Sequence, residues 1–430
     1  MMTRRARRRG LGSLRVALFP SLAFAQTNQA VRARVQQETG PLLDTLKDLV
    51  AIESGSGDFE GVTRIGSLIA DRLRAMGGVV ELVPPAPDML RLQGTPERIG
   101  DTVVARFRGR GTARILLLAH MDTVYQRGML AQQPFRIDGE RAYGLGIGDD
   151  KHGVAVILHT LSTLKALNFD QYGLITVLIS PDEEVGSVAE RGLITSLGVE
   201  HDIVLSCEGA GQDDSIRLST TGIELAHLSV KGRASHAGQA PEQGRNALYE
   251  LAHQIMQMRD LSDPAKATKV NWTLASAGSV FNAIPADARA TADMRADDAK
   301  GFDALEAAIR DHIRTRLIPD TTVQVEFERI YPPMPFREQS RKIAEQARLA
   351  YLEIGNTLKV SEISTGGGTD AAFAALQTTA PVLEGFGLKS FGAHSNDAEY
   401  VNISSIEPRL YLLTRVIMDV AQGKTSIGQR

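Results

Sequence analysis

The sequence predicts an α/β protein in which a doubly wound, mainly parallel sheet is interrupted by an inserted ferredoxin-like α+β domain. Three observations predict it. Strand-like and helix-like runs alternate over the first half of the chain, the order that builds a parallel sheet with helices on both faces. Between about Thr221 and Pro332 the rhythm becomes β-α-β-β-α-β, the ferredoxin-like split unit. The doubly wound pattern then resumes toward the C-terminus.

Val31 to Ala51 and Val62 to Met76 read as amphipathic helices, the second closed by Gly77-Gly78. Val79 to Val83, Thr102 to Arg108 and Ile115 to Ala119 read as strands, and Gly153 to Leu167 as a helix. Leu174 to Ile179 and Ile203 to Ser206 are short apolar runs suited to buried strands. Inside the insertion, strands are expected at Glu224 to Lys231, Lys269 to Ser276, Asp287 to Arg295 and Thr322 to Glu328. Its helices are expected at Asn246 to Met258 and Phe302 to Arg316. Helices from Gln339 to Leu352 and near Ile406 to Val420 follow. The main domain is thus assigned residues 26–220 and 333–430, and the inserted domain 221–332.

A chain of 430 residues has room for about two or three domains. A formal net charge of -3 offers no basic excess for a nucleic-acid partner. Beyond the first residues no apolar run is long enough to span a bilayer. Those first residues read as a signal peptide, 1–25: arginines from Arg4 to Arg9, an apolar stretch from Val16 to Phe24, then Ala23-Phe24-Ala25 as a cleavage site. A periplasmic or secreted protein is expected. The single Cys207 has no partner for an intramolecular disulfide.

Chemistry-bearing residues gather where strands end. Ile115 to Ala119 runs into His120-Met121-Asp122, an imidazole with a carboxylate placed to fix its tautomer. Gly144 to Gly148 precede Asp149-Asp150; a glycine-rich turn ending in two acids would repel phosphate, so the glycines serve to present a carboxylate or a helix cap. Leu174 to Ile179 leads into Asp182-Glu183-Glu184, Ile203 to Ser206 into Cys207-Glu208, and a later short strand into His394. Open α/β sheets bind ligands at the carboxyl ends of their strands. Two imidazoles and three carboxylates suit a pair of zinc ions better than one.

These residues resemble the di-zinc aminoacylase/carboxypeptidase metallopeptidase family, and within it the bacterial branch of folate-cleaving glutamate carboxypeptidases. The anchors are His120-Met121-Asp122-Thr123-Val124-Tyr125, Asp149-Asp150-Lys151, Asp182-Glu183-Glu184, Ala234-Ser235-His236-Ala237-Gly238, Gly366-Gly367-Gly368-Thr369-Asp370 and His394-Ser395. The resemblance implies two Zn ions per subunit, with Asp149 bridging them. His120 and Glu208 would complete one site, Glu184 and His394 the other, with a cis peptide at Asp149-Asp150. It implies Glu183 as general base and Asp122 as the partner of His120. The inserted domain becomes a dimerisation and lid domain, making a homodimer in which His236 and Asn282 serve the partner subunit's site. Arg295 would pair with a substrate carboxylate, and Gly367 and its glycine neighbours would offer backbone N–H groups to it.

The implied reaction is hydrolysis of an amide bond that releases a C-terminal amino acid from a small N-acyl or peptidyl substrate. Ser215 and Tyr331 stand where the folate-cleaving branch carries a lysine and an arginine, which favours a neutral or aromatic side chain over glutamate. His152 stands where that branch has glycine, at a helix start that suits a dipole or packing role. An aminopeptidase or dipeptidase of the same family is the alternative, disfavoured by Glu208 and Arg295. A non-catalytic peptide-binding protein would be expected to lack Glu183 or a ligand.

Overall fold

The computed structural model describes residues 19–364, 366–395 and 398–425. Residues 1–18 of the expected leader lie outside the described residues. The largest sheet has eight strands in the order Val79–Val83, Thr102–Arg108, Leu174–Ser180, Arg114–His120, Ile203–Ser206, Val382–Glu384, Ser215–Arg217, Lys359–Ser361. Its middle, from Leu174–Ser180 to Val382–Glu384, is parallel. The two strands on the Val79 side are antiparallel additions, so the sheet is mixed at its margin. Val79–Val83 returns to Thr102–Arg108 through residues 84–101 without a helical crossover, which the sequence pattern did not distinguish.

Successive side chains of the central strands alternate between two apolar layers, as the period of two requires. Ile115, Leu117, Ile175, Val177 and Leu205 pack with Leu42, Leu46, Ile65, Ile157 and Leu410 of the helices on one face. Leu116, Leu118, Leu178 and Val204 pack with Ile194, Leu197 and Phe373 on the other. Burial on both faces explains why these strands read as unbroken apolar runs. Among the described residues no helix is long and apolar enough to cross a membrane.

The insertion folds as a second sheet in the order Thr268–Ala277, Asp287–Ala296, Gly222–Lys231, Thr322–Tyr331, every neighbour antiparallel. Helices Ala247–Gln257 and Ala299–His312 complete the β-α-β-β-α-β order. Along Gly222–Lys231 burial alternates residue by residue, and Ala226, Leu228 and Val230 face Leu251, Phe302 and Ile309 in a core of their own. Both helices start at side-chain caps: Asn246 accepts from the Leu248 and Tyr249 N–H groups, and Asp298 from that of Gly301.

A third, small antiparallel sheet was not anticipated. It joins Ser390–Phe391, Tyr400–Asn402, Arg141–Tyr143 and Arg136–Asp138. One of its hairpins carries His394, and the strand beside that hairpin runs into the turn that carries Asp149.

Candidate metal centre

Three parallel strands deliver ligand candidates from their carboxyl ends. His120 ends Arg114–His120, Glu183 and Glu184 follow Leu174–Ser180, and Glu208 follows Ile203–Ser206. The Gly144–Gly148 turn brings in Asp149. At Gly146 the backbone has φ +70, and a Cβ there would stand 2.3 Å from Thr123 Cγ2, so only glycine lets the turn close. The Asp149-Asp150 peptide is cis, as the resemblance implies.

Two trios of ligand atoms result, His120–Asp149–Glu208 and Asp149–Glu184–His394. His120 Nε2 lies 3.0 Å from Asp149 Oδ1 and 3.4 Å from Glu208 Oε1. His394 Nε2 lies 3.2 Å from Asp149 Oδ2 and 3.0 Å from Glu184 Oε2. Asp149 therefore offers one oxygen to each trio. Asp122 sits behind them, fully buried. Its carbonyl and Oδ1 lie 3.1 and 3.3 Å from His120 Nδ1, which aims Nε2 at Asp149. The same carboxylate accepts from the Glu183 and Glu184 N–H groups at 3.0 and 3.2 Å and from Ser56 at 2.7 Å.

The electrostatics call for cations. Burial pushes the Glu183, Glu208 and Asp150 carboxyls well above the usual range, and neighbouring acids add to the shift. Burial also raises Glu184, whose Oε1 has no hydrogen-bond partner. Burial opposes charge on His120, but Glu208, Asp122 and Asp149 outweigh it and hold the imidazole well above its ordinary value. Hydrogen bonds to Asp149 and Glu184 push His394 up to about 10. Such a cluster is costly as it stands and is relieved by divalent ions. One imidazole and two carboxylates per trio, with further coordination positions open, match the donor set of catalytic zinc. Buried Cys207 belongs to neither trio.

Glu183 also lies beside the trios and belongs to neither. Its carbonyl accepts from the Tyr331 hydroxyl, which also lies 3.1 Å from Ser187 Oγ. Tyr331 was singled out as a lost cation; its contact with the Glu183 main chain had no local signal. The Ser215 hydroxyl is buried and donates to the Ala210 carbonyl. His152 packs in the core, its pKa pushed down to about 4 by burial, which fits the packing reading. Glu399 was missed altogether.

The expected substrate residues do not all lie at the trios. Arg295 grips Asp293 with Nε and NH2 at 2.8 and 2.7 Å and reaches the Gly366 carbonyl at 3.0 Å. Three of its five N–H donors are thus used, leaving about two for a carboxylate. Gly367 accepts from Thr221 N–H at 3.1 Å through its carbonyl. His236 and Asn282 share one tip of the insertion, where the Ala237 N–H donates to the Asn282 carbonyl. His236 Nδ1 accepts from the Gly238 and Gln239 N–H groups at 3.1 and 3.2 Å, which leaves the ring proton on exposed Nε2. Among the described residues, neither side chain bonds to the trios.

Comparison with known proteins agrees with this geometry. The sequence pattern of Peptidase family M20/M25/M40 matches residues 116–419. Carboxypeptidase G2 of Pseudomonas sp. (strain RS-16) is 42% identical over 414 residues, covering 96% of this chain and 97% of that protein. Among solved structures, a tripeptidase from Staphylococcus aureus superposes with a TM-score of 0.74 at 20% identity, over 89% of this chain and 99% of the other. An M20 family metallo-carboxypeptidase from Sulfolobus solfataricus gives 0.71 at 16%, with the same coverage. At those identities the structures speak for the fold, while the sequence matches speak for kinship: the chain belongs to the M20 peptidase family, with a di-zinc type of metal centre.

Proposed function

We propose that this metallopeptidase releases a C-terminal amino acid from an N-acyl or peptidyl group. The observation that carries the reading is Glu183, a half-buried carboxylate beside two trios that share Asp149. Zinc ions held by His120, Asp149 and Glu208, and by Asp149, Glu184 and His394, would acidify water and polarise the scissile carbonyl. Glu183 takes the proton of the attacking water and returns it to the leaving amine. Arg295, anchored by Asp293, turns its free donors to the substrate α-carboxylate. Kinship with a carboxypeptidase supports this polarity of cleavage.

The released residue is glutamate by kinship, but neutral or aromatic side chains suit the chemistry better. Ser215 and Tyr331 carry no charge, Arg329 is taken by Glu224 and Glu306, and Arg217 by the Gly209 carbonyl and Glu384. N-acyl amino acids differing only in the C-terminal residue, Glu, Asp, Ala, Leu or Phe, should all be tried. We expect hydrolysis, with kcat/KM for Leu or Phe at least equal to that for Glu. Cleavage confined to peptides with free amino termini would make the protein an aminopeptidase instead.

A homodimer accounts for His236 and Asn282. Edge strand Thr268–Ala277 exposes Leu274, the neighbouring helix exposes Leu248, Tyr249 and Met256, and Phe281 is 99% exposed. An unpaired strand edge with apolar neighbours suits a second copy of this chain. Reading His236 as a donor to the partner's reaction centre, inactive His236→Ala and inactive Glu183→Gln subunits should together recover activity. Confirmed mixed dimers with no recovery would argue that each site is complete within one subunit.

A further inference from the structure

Three of the segments that carry ligands, those of His120, Asp149 and His394, meet at one side chain outside both trios. Glu399 lies immediately before the strand Tyr400–Asn402 and is 4% exposed. Its Oε1 accepts from the Gly148 N–H at 2.6 Å. Its Oε2 accepts from the Gly146 N–H at 3.0 Å and the Tyr125 hydroxyl at 2.5 Å. Gly146 and Gly148 belong to the turn that presents Asp149. Tyr125 closes the run that starts at His120, and its hydroxyl lies 3.0 Å from the Ser395 carbonyl, next to His394. The packing is tight: a Cβ on Gly148 would stand 3.1 Å from Ser390 Cβ and 3.4 Å from Glu399 Cγ. A buried carboxylate must have its oxygens satisfied. Here each donor comes from a ligand-bearing segment.

We propose that Glu399 is a positioning residue of the metal centre. Through Gly146, Gly148 and Tyr125 it fixes the Asp149 turn against the His394 hairpin and so sets the spacing of the Asp149–Glu184–His394 trio. The inference rests on the two-ion reading. Groups that orient ligands without touching the metal typically change its affinity about 10–100-fold. Asp149 serves both ions, so both depend on Glu399; His394 serves one, and that ion depends on it more.

The test is a titration of the metal-free full chain with zinc against a chelating indicator, and with cobalt(II) followed by its visible absorption. Wild type is compared with Glu399→Gln and Tyr125→Phe. Glutamine puts an amide donor where an acceptor is needed, and the second ion should bind about 10–100-fold more weakly, the first less so, with little change in the unfolding midpoint of the metal-free form. Tyr125→Phe removes one oxygen from the His394 side and should weaken the second ion alone; if Glu399→Gln fails to fold, this variant decides. Wild-type affinity for both ions in both variants overturns the proposal. So does a loss that falls as heavily on the first ion as on the second. A wild-type chain that takes up a single ion would overturn the two-ion reading itself.

Discussion

Glu183→Gln should lower turnover by about 10²–10⁴-fold while both zinc ions stay bound. The side chain is in neither trio, so its loss leaves the ligands in place. Glutamine keeps the shape, and the residue is held through its backbone: N–H to Asp122 Oδ1 at 3.0 Å, carbonyl to the Tyr331 hydroxyl. What disappears is the proton acceptor. Metal content by atomic absorption and kcat on a cleaved N-acyl amino acid measure the two halves separately. Wild-type turnover would remove Glu183 from the mechanism, and loss of an ion would make it a ligand. Glu184→Gln is the contrast, since it should cost the ion shared with His394.

Chelation should abolish turnover and leave a protein that becomes less stable as pH rises from about 5 to 8. Without ions, burial holds Glu183, Glu184 and Glu208 above their ordinary values, and Asp370 and Glu399 near about 7. A carboxyl whose folded pKa exceeds its unfolded one binds more protons when folded. Its contribution is present at low pH and is lost as pH rises through the folded value. His394, raised to about 10, acts with the same sign. Asp149 is shifted the other way, its hydrogen bonds to His120 and His394 outweighing burial, but it titrates below this window. His152 and His201, pushed down to about 4 by burial, oppose the trend only up to their ordinary value of 6.5. Zinc reverses the trend because it binds the deprotonated ligands. At a hundredfold excess over Kd each site adds about 2.7 kcal/mol. The gap between loaded and chelated Tm should therefore widen toward pH 8. A chelated Tm that is flat or rising over this range would contradict the cluster's electrostatics.

Most of the large-sheet core was legible because buried parallel strands announce themselves as apolar runs. Ile115 to Ala119, Leu174 to Ile179 and Ile203 to Ser206 each end within a residue of the observed strand, so the acids and the imidazole beyond them fell at the right edge. The insertion was legible because its strands alternate and its helices are amphipathic. Strands of two or three residues, such as Ser390–Phe391 and Arg141–Tyr143, are too short to show a period, so the small sheet was missed. Helix Asp370–Ala375 is uniformly buried and shows no period either, but its cap at Thr369 marks its start in the sequence. The Tyr125–Glu399 bond joins residues 274 apart, and no local pattern announces such a contact. The roles of His236 and Asn282 came only from resemblance, because a histidine in a polar turn carries no signal of its own.

The small sheet gives the two halves of the centre different mechanical footing. His120, 1% exposed, ends a strand locked into the core, whereas His394, 56% exposed, rides the tip of a short hairpin at φ +62. Loosening the seat of the His120 ion would disturb core strands, whereas loosening that of its neighbour would disturb only the short strands of the small sheet. Residence times would then differ, and scarcity of zinc would empty the pair in sequence, passing through a half-loaded enzyme that refills from the hairpin side.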